Sequence, residues 1–159
     1  MSALIRAATP ADVPAIFDFI RQLAEYERLT HTLEASEADI GQALFGSRPR
    51  CGCEIAEIDG APVGFSLWFY TFSTFRGRAG IYVEDLFVLP EARGRGAGKA
   101  LLTGLARRCV EEGLGRLEWA VLDWNAPSIA FYDSLGAERM DQWTARRLAG
   151  AALEALAHA

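Results

Sequence analysis

The sequence predicts a mixed α/β (α+β) domain, and three observations carry that reading. Strand-like runs meander through the middle of the chain, a strand, glycine loop, helix and strand follow one another in the second half, and breaker residues occur as single turns. The 159 residues are 51% hydrophobic and 23% charged, an ordinary balance for a globular chain long enough to bury one core without a staple. No internal repeat or low-complexity tract divides them, so a single domain over 1–159 is expected.

Residues 3–8 read as a short strand, after which Thr9-Pro10-Ala11-Asp12 opens a helix with Ile16, Phe19, Ile20 and Leu23 at helical spacing, running to about Arg28. A second helix starts at Ser36, an N-cap with Asp39 three residues on, and stops at Gly46. Residues 51–58 and 63–72 are strand-like and joined by Asp59-Gly60-Ala61-Pro62, which reads as a hairpin. Residues 81–89 form a third run, rich in β-branched and aromatic side chains. A glycine-rich loop after Pro90 then leads into an amphipathic helix carrying Leu101, Leu102, Leu105 and Cys109. A strand over 116–122 follows, and then a short helix from Asn125-Ala126-Pro127 to Gly136, a residue suited to a left-handed C-cap. Residues 137–140 and 143–148 are expected to be closing strands, and about 151–159 a helical tail. The sum is about seven strands and about four helices before the tail.

Sixteen Lys+Arg against 21 Asp+Glu give a net charge of -5, which argues against nucleic-acid binding and for a cationic partner. Three cysteines, with Cys51 and Cys53 alternating in a strand, do not make a disulfide framework, and two distant histidines, His31 and His158, offer neither a zinc site nor a triad. No metal is expected. The longest apolar stretch, 63–72, is about half of a membrane span, and Arg6, Pro10 and Asp12 interrupt any signal-peptide core. No membrane association and a cytoplasmic location are the expectations.

The most specific segment is Arg93-Gly94-Arg95-Gly96-Ala97-Gly98-Lys99, after a strand and before a helix. Unpaired N–H groups at a helix start favour an anion, and glycines let a phosphate approach the backbone, so a pyrophosphate is the natural ligand. Ala100 after Lys99 and Arg93 in place of a first glycine rule out the P-loop, and the third glycine of the dinucleotide fingerprint is missing. Between Arg76 and Arg108 seven basic residues face three acidic ones, reversing the sign of the chain as a whole. Residues 12–59 hold ten acids and four bases, so the first-helix region is acidic where the loop region is basic.

Arg93, Gly96 and Gly98 match the Arg/Gln-x-x-Gly-x-Gly/Ala pattern, and the chain resembles the GCN5-related (GNAT) N-acetyltransferases. Leu23-Ala24-Glu25-Tyr26-Glu27, Tyr82-Val83-Glu84-Asp85-Leu86-Phe87-Val88 and Trp124-Asn125-x-Pro127-Ser128-Ile129-x-Phe131-Tyr132 narrow the resemblance to the spermidine/spermine (diamine) and thialysine acetyltransferases. The likeness runs from about residue 3 to 150 and is loose around Gln142-Trp143. It implies the GNAT fold, a mostly antiparallel sheet with a splay between its fourth and fifth strands. It also implies acetyl-CoA as cosubstrate, direct transfer to a primary amine of a small diamine, polyamine or lysine-like amino acid, and a homodimer.

Such a transfer needs a neutral amine, a stabilised oxyanion and a proton for the departing thiolate. An alkylamine titrates near 10, so its proton must pass to a base. Glu84 and Asp85, consecutive in an apolar run, are the candidates: Glu84 as base or water relay and Asp85 in substrate binding, or the two exchanged. The resemblance places a β-bulge in this strand and makes Tyr132 the general acid. It assigns Asn125 to the pantetheine arm, the backbone of Leu86, Phe87 and Val88 to coenzyme and oxyanion contacts, and Arg93 to Lys99 to the pyrophosphate. Tyr26 and Glu27 fall where it places amine contacts, and Asp123 is a further candidate carboxylate beside Trp124. The alternatives are transfer to a protein, a peptide or another metabolite, or a non-catalytic acyl-CoA sensor.

Overall fold

The computed structural model describes residues 3–159, which fall into two compact units, one ending at Leu122 and one beginning at Asp123. The first holds a five-stranded sheet in the order of the chain: β1 (Leu4–Ala7), β2 (Gly52–Ile58), β3 (Ala61–Ser73), β4 (Arg78–Val88) and β5 (Leu117–Trp119). All neighbours are antiparallel except β4 and β5, which α3 (Ala97–Glu111) links as a parallel pair. Helices α1 (Val13–Tyr26) and α2 (Glu37–Phe45) lie between β1 and β2 in sequence.

Alternation along the strands sorts the core into two layers. Ile55, Phe65, Leu67 and Phe87 pack with Ile16 and Phe19 of α1 and Leu44 of α2, whereas Ala56 packs with Ala97 and Leu101 of α3. Local chemistry sets the element ends. Asp59 (φ 55°) and Gly60 (φ 79°) form the tight turn between β2 and β3, both in the left-handed region that a two-residue hairpin requires. Ser36 accepts the Asp39 N–H at 3.2 Å while Asp39 accepts the Ser36 N–H at 2.8 Å, a complete capping box. Helix α1 ends in a Schellman turn, the Leu29 N–H reaching the Ala24 carbonyl at 2.8 Å, with Arg28 at φ 60° where glycine is usual. Arg6 of β1 binds Asp12 at 2.7 Å and Glu57 of β2 at 2.7 Å, joining the start of α1 to the sheet.

The second unit contains α4 (Ala126–Ser134) and α5 (Gly150–Ala157). Gly136 adopts φ 80° just past α4, as its position in the sequence implies, and the Ala137 N–H returns to the Tyr132 carbonyl at 3.3 Å. The mixed α/β class holds, with two corrections. Residues 137–140 and 143–148 are not strands, so the sheet has five strands rather than about seven, and five α-helices occur among the described residues. Met140, Trp143 and Leu148 are exposed, and strand propensity without a partner edge or a face to bury does not make a strand. The fifth strand is likewise confined to Leu117–Trp119 instead of spanning 116–122.

Candidate active site

The register of β3 against β4 holds the decisive irregularity. Trp68 pairs with Val83 and Leu67 with Asp85, so Glu84 is an extra residue, a β-bulge. Opposite residues share a face. Val83 therefore lies on the Trp68 face, while Asp85 and Phe87 lie on the Leu67 face, with α1. Without the bulge Val83 and Asp85 would point the same way. The bulge turns a carboxyl into the layer between the sheet and α1 and leaves Glu84 exposed.

Asp85 is partly buried, and its pKa is pushed up from the ordinary 3.8 to about 7 by loss of solvent and by the neighbouring carboxylates of Glu84 and Glu27. Glu27, the residue after α1, is itself raised by burial. Three carboxyls thus converge, two on the bulged strand and one at the helix end. The half-buried Cys51 thiol, just before β2, is raised by burial and by the Asp85 charge, which puts it beside the cluster. Its neighbourhood depends on strand register, which its alternation with Cys53 in the sequence does not reveal.

The splay that the resemblance implied has a counterpart in the ladder. β5 pairs with β4 only at Ile81, Tyr82 and Val83, so from Glu84 onward β4 runs beyond its parallel neighbour. The side chains of Leu86 and Val88 pack toward α3 and that of Phe87 toward α1, which leaves backbone as what these residues can offer a ligand in that gap. Two turns later the chain enters α3. Gly94 (φ 74°) and Gly96 (φ 85°) are left-handed, and no side chain caps the helix, so the first N–H groups, those of Ala97, Gly98 and Lys99, open toward an incoming anion. A Cβ at Gly94 or Gly96 would meet no atom within 4 Å, so these glycines are required by φ and not by crowding. Lys99 and Arg107 line an open cleft of about 470 Å³ that begins at Gly96.

The loop arginines are placed differently from one another. Arg95 reaches Asp59 at 3.7 Å across exposed surface. Arg93 donates from Nε to the Val88 carbonyl at 3.0 Å, and its guanidinium stands 4.9 Å from the Tyr26 ring centre and 5.7 Å from that of Phe87. Tyr26, predicted as an amine contact, therefore also supports the loop. In the second unit Asn125 is buried and caps α4, accepting the Ser128 N–H at 3.4 Å. Tyr132 lies in α4 with its ring 5.4 Å from that of Phe131, and Asp123 is exposed. Sequence reasoning missed a buried polar group under α3: Glu54 accepts from Ser66 at 3.2 Å and from Arg108 at 3.4 Å, and Arg108 covers the Trp68 ring at 5.0 Å.

A family model described as Acetyltransferase (GNAT) family matches residues 14–137. The chain belongs to the GNAT acetyltransferase family. Among GNAT relatives, the thialysine N-epsilon-acetyltransferase of Bos taurus is 37% identical over 97% of this chain and 96% of its own length. The L-ornithine N5-acetyltransferase of Arabidopsis thaliana is 34% identical over 98% of this chain and 88% of its own. Among solved structures, an integron cassette protein from the mobile metagenome of V. cholerae superposes with a TM-score of 0.82 at 27% identity, covering 100% of this chain and 99% of that one. The resemblance read from the glycine loop and the Glu84-Asp85 strand is thus confirmed at family level, and the chain is an N-acetyltransferase. Among the described residues no helix is long and apolar enough to cross a membrane.

Proposed function

We propose that this GNAT enzyme moves an acetyl group directly from acetyl-CoA to a primary amine of a small substrate with a second cationic centre, a diamine, polyamine or lysine-like amino acid. The observation that carries the reading is the three-carboxyl cluster, with Asp85 held near neutrality between Glu84 and Glu27. Such a cluster attracts a dication and supplies a base of suitable strength. Moving a proton from an alkylammonium near 10.4 to an ordinary carboxylate at 3.8 is uphill by about 9 kcal/mol, and to a group at about 7 by about 5 kcal/mol. This favours Asp85 as the proton acceptor and Glu84, exposed on the bulge, as the amine contact or water relay, the exchanged form of the roles first assigned.

The amine nitrogen, freed of its proton, forms the new bond to the acetyl carbon, and backbone N–H groups of 86–88 bear the developing oxyanion. The carbon–sulfur bond then breaks as Tyr132 gives its proton to the departing thiolate. The loop from Arg93 to Lys99 holds the pyrophosphate through the N–H groups of the α3 start, Asn125 contacts the pantetheine arm, and Asp123 adds charge for the amine. The family match spans 14–137, which supports reading the chain as one acetyltransferase domain. A homodimer in the cytoplasm, with no metal, no nucleic acid and no membrane partner, completes the proposal, and sedimentation tests the dimer.

The relatives named above act on thialysine and ornithine, each a small molecule with two amines, which favours the amino-acid branch. The test is thiol release from acetyl-CoA across putrescine, spermidine, spermine, lysine, ornithine, thialysine and a lysine-containing peptide. Saturable turnover confined to the small diamino compounds is expected. Turnover of the peptide alone refutes the small-amine reading, and coenzyme binding without any turnover turns the assignment toward an acyl-CoA sensor.

A further inference from the structure

The sheet buries a carboxyl on the face opposite to α1, and the acetyl transfer makes no use of it. Glu54 of β2 accepts from Ser66 of β3 at 3.2 Å and pairs with Arg108 of α3 at 3.4 Å. Burial raises this carboxyl, and Arg108 and Ser66 oppose the rise. Arg108 also covers the Trp68 ring, 5.0 Å from its centre, and bridges to Glu112 at 3.1 Å. Trp68 pairs with Gly52 on one side and Val83 on the other, and a Cβ at Gly52 would stand 2.5 Å from the indole, so the ring lies against the backbone of β2. The network thus ends on the residue at the register shift, which falls between Leu67 and Trp68.

Two straight registers compete with the bulge. If the hairpin half of the ladder kept its pairing, Asp85 would fall opposite Ser66, in the cross-strand row that holds Glu54. If the other half kept its pairing, Glu84 would fall opposite Trp68, under Arg108. Either register brings a carboxylate into the α3 layer. That layer already holds a buried carboxyl, and its guanidinium is engaged by Glu54 and Glu112. A further carboxylate there lacks a partner and is repelled.

We propose that Glu54 is a positioning residue for the amine site. By engaging Arg108 and placing negative charge in the α3 layer, it excludes Glu84 and Asp85 from that layer and so preserves the bulge that turns Asp85 toward α1. The proposal rests on the reading that Glu84 and Asp85 receive the amine. Glu54 acts on them through strand register, from the opposite face of the sheet.

Glu54→Gln keeps the shape and removes the charge, which frees Arg108 to draw in Asp85 or Glu84. The readouts are the pH profile of kcat/KM for the diamine and the NMR titration of the Asp85 carboxyl carbon. Arg108 favours the charged form of whichever carboxyl it holds, and either outcome makes Asp85 more acidic. The limb through about 7 should therefore move down by about one pH unit, with a plateau about 10-fold below the wild type. Glu54→Asp keeps the charge and should retain the wild-type limb, as should Asp12→Asn, which loses stability at a joint away from the bulge. The double variant Glu54→Gln/Arg108→Met removes the attracting cation as well and should recover the limb and most of the activity, whereas a merely structural role makes it worse than Glu54→Gln. If Glu54→Gln does not fold, the double variant carries the test, and its limb must match the wild type. An unmoved limb and carbon titration in Glu54→Gln overturn the proposal, as does a double variant worse than the single one. A wild type that acetylates no diamine refutes the functional reading, while the carbon titration still decides whether Glu54 governs Asp85.

Discussion

Asp85→Asn is the substitution on which the site stands or falls. The carboxyl titrates at about 7 in the folded protein against an ordinary 3.8. Between those values the folded state holds a proton that the unfolded chain has released, so the group favours folding in acid, and that contribution is lost as pH rises through about 7. At 1.36 kcal/mol per pH unit the whole effect is about 4 kcal/mol, of which about 2.5 kcal/mol falls between about pH 5 and pH 8. Relaxation of the exposed Glu84 and entry of water reduce it, and a change of 1 to 2.5 kcal/mol, to order of magnitude, is expected. The assay is urea unfolding of wild type and Asp85→Asn across that range, read as the difference between the two so that other titrating groups cancel. The wild type should lose stability toward pH 8 relative to the variant. The same group predicts that kcat/KM for the diamine rises with pH through about 7 in the wild type, a limb that Asp85→Asn abolishes together with most of the activity. Parallel stability curves would refute the burial argument, and a retained limb would refute the base assignment.

Tyr132→Phe should lower turnover by about 100-fold while leaving coenzyme affinity unchanged, if its phenol protonates the leaving thiolate; single-turnover kinetics check this, and an unchanged rate removes the role. Gly96→Ala introduces a Cβ into open space but at φ 85°, so it should destabilise the loop by about 1–2 kcal/mol and weaken coenzyme A by a comparable factor in calorimetry. Asp12→Asn should cost about 1–3 kcal/mol, because it leaves Arg6 with weakened partners at the joint between β1 and α1. Arg6 holds the Asp12 carboxyl well below the usual carboxylate range, so this joint stabilises the fold above about pH 4 and is lost as pH falls further; acid unfolding of the variant should start from a lower plateau and show a shallower loss.

Features governed by a few neighbouring residues were legible in the sequence. The Asp59-Gly60 turn, the Ser36 cap, the Gly136 terminator and the glycine loop before α3 each depend on backbone conformations that only certain residues adopt, so composition and spacing sufficed. The family motif at Arg93, Gly96 and Gly98 was legible for the same reason. The segments 137–140 and 143–148 misled because their pattern satisfies a strand locally, while a strand exists only with an edge to pair and a face to bury.

The glycine loop, its helix and the paired Glu84-Asp85 were determined by the sequence alone, since each rests on local backbone chemistry or residue identity. Tertiary structure decided which way Asp85 faces, that Glu27 and Cys51 stand beside it, and that Arg93 turns back onto Tyr26. Those outcomes depend on a one-residue shift in the register between β3 and β4 and on the meeting of α1 with the end of β4. A register shift reverses the face of every residue that follows it and leaves no local trace in the residues themselves.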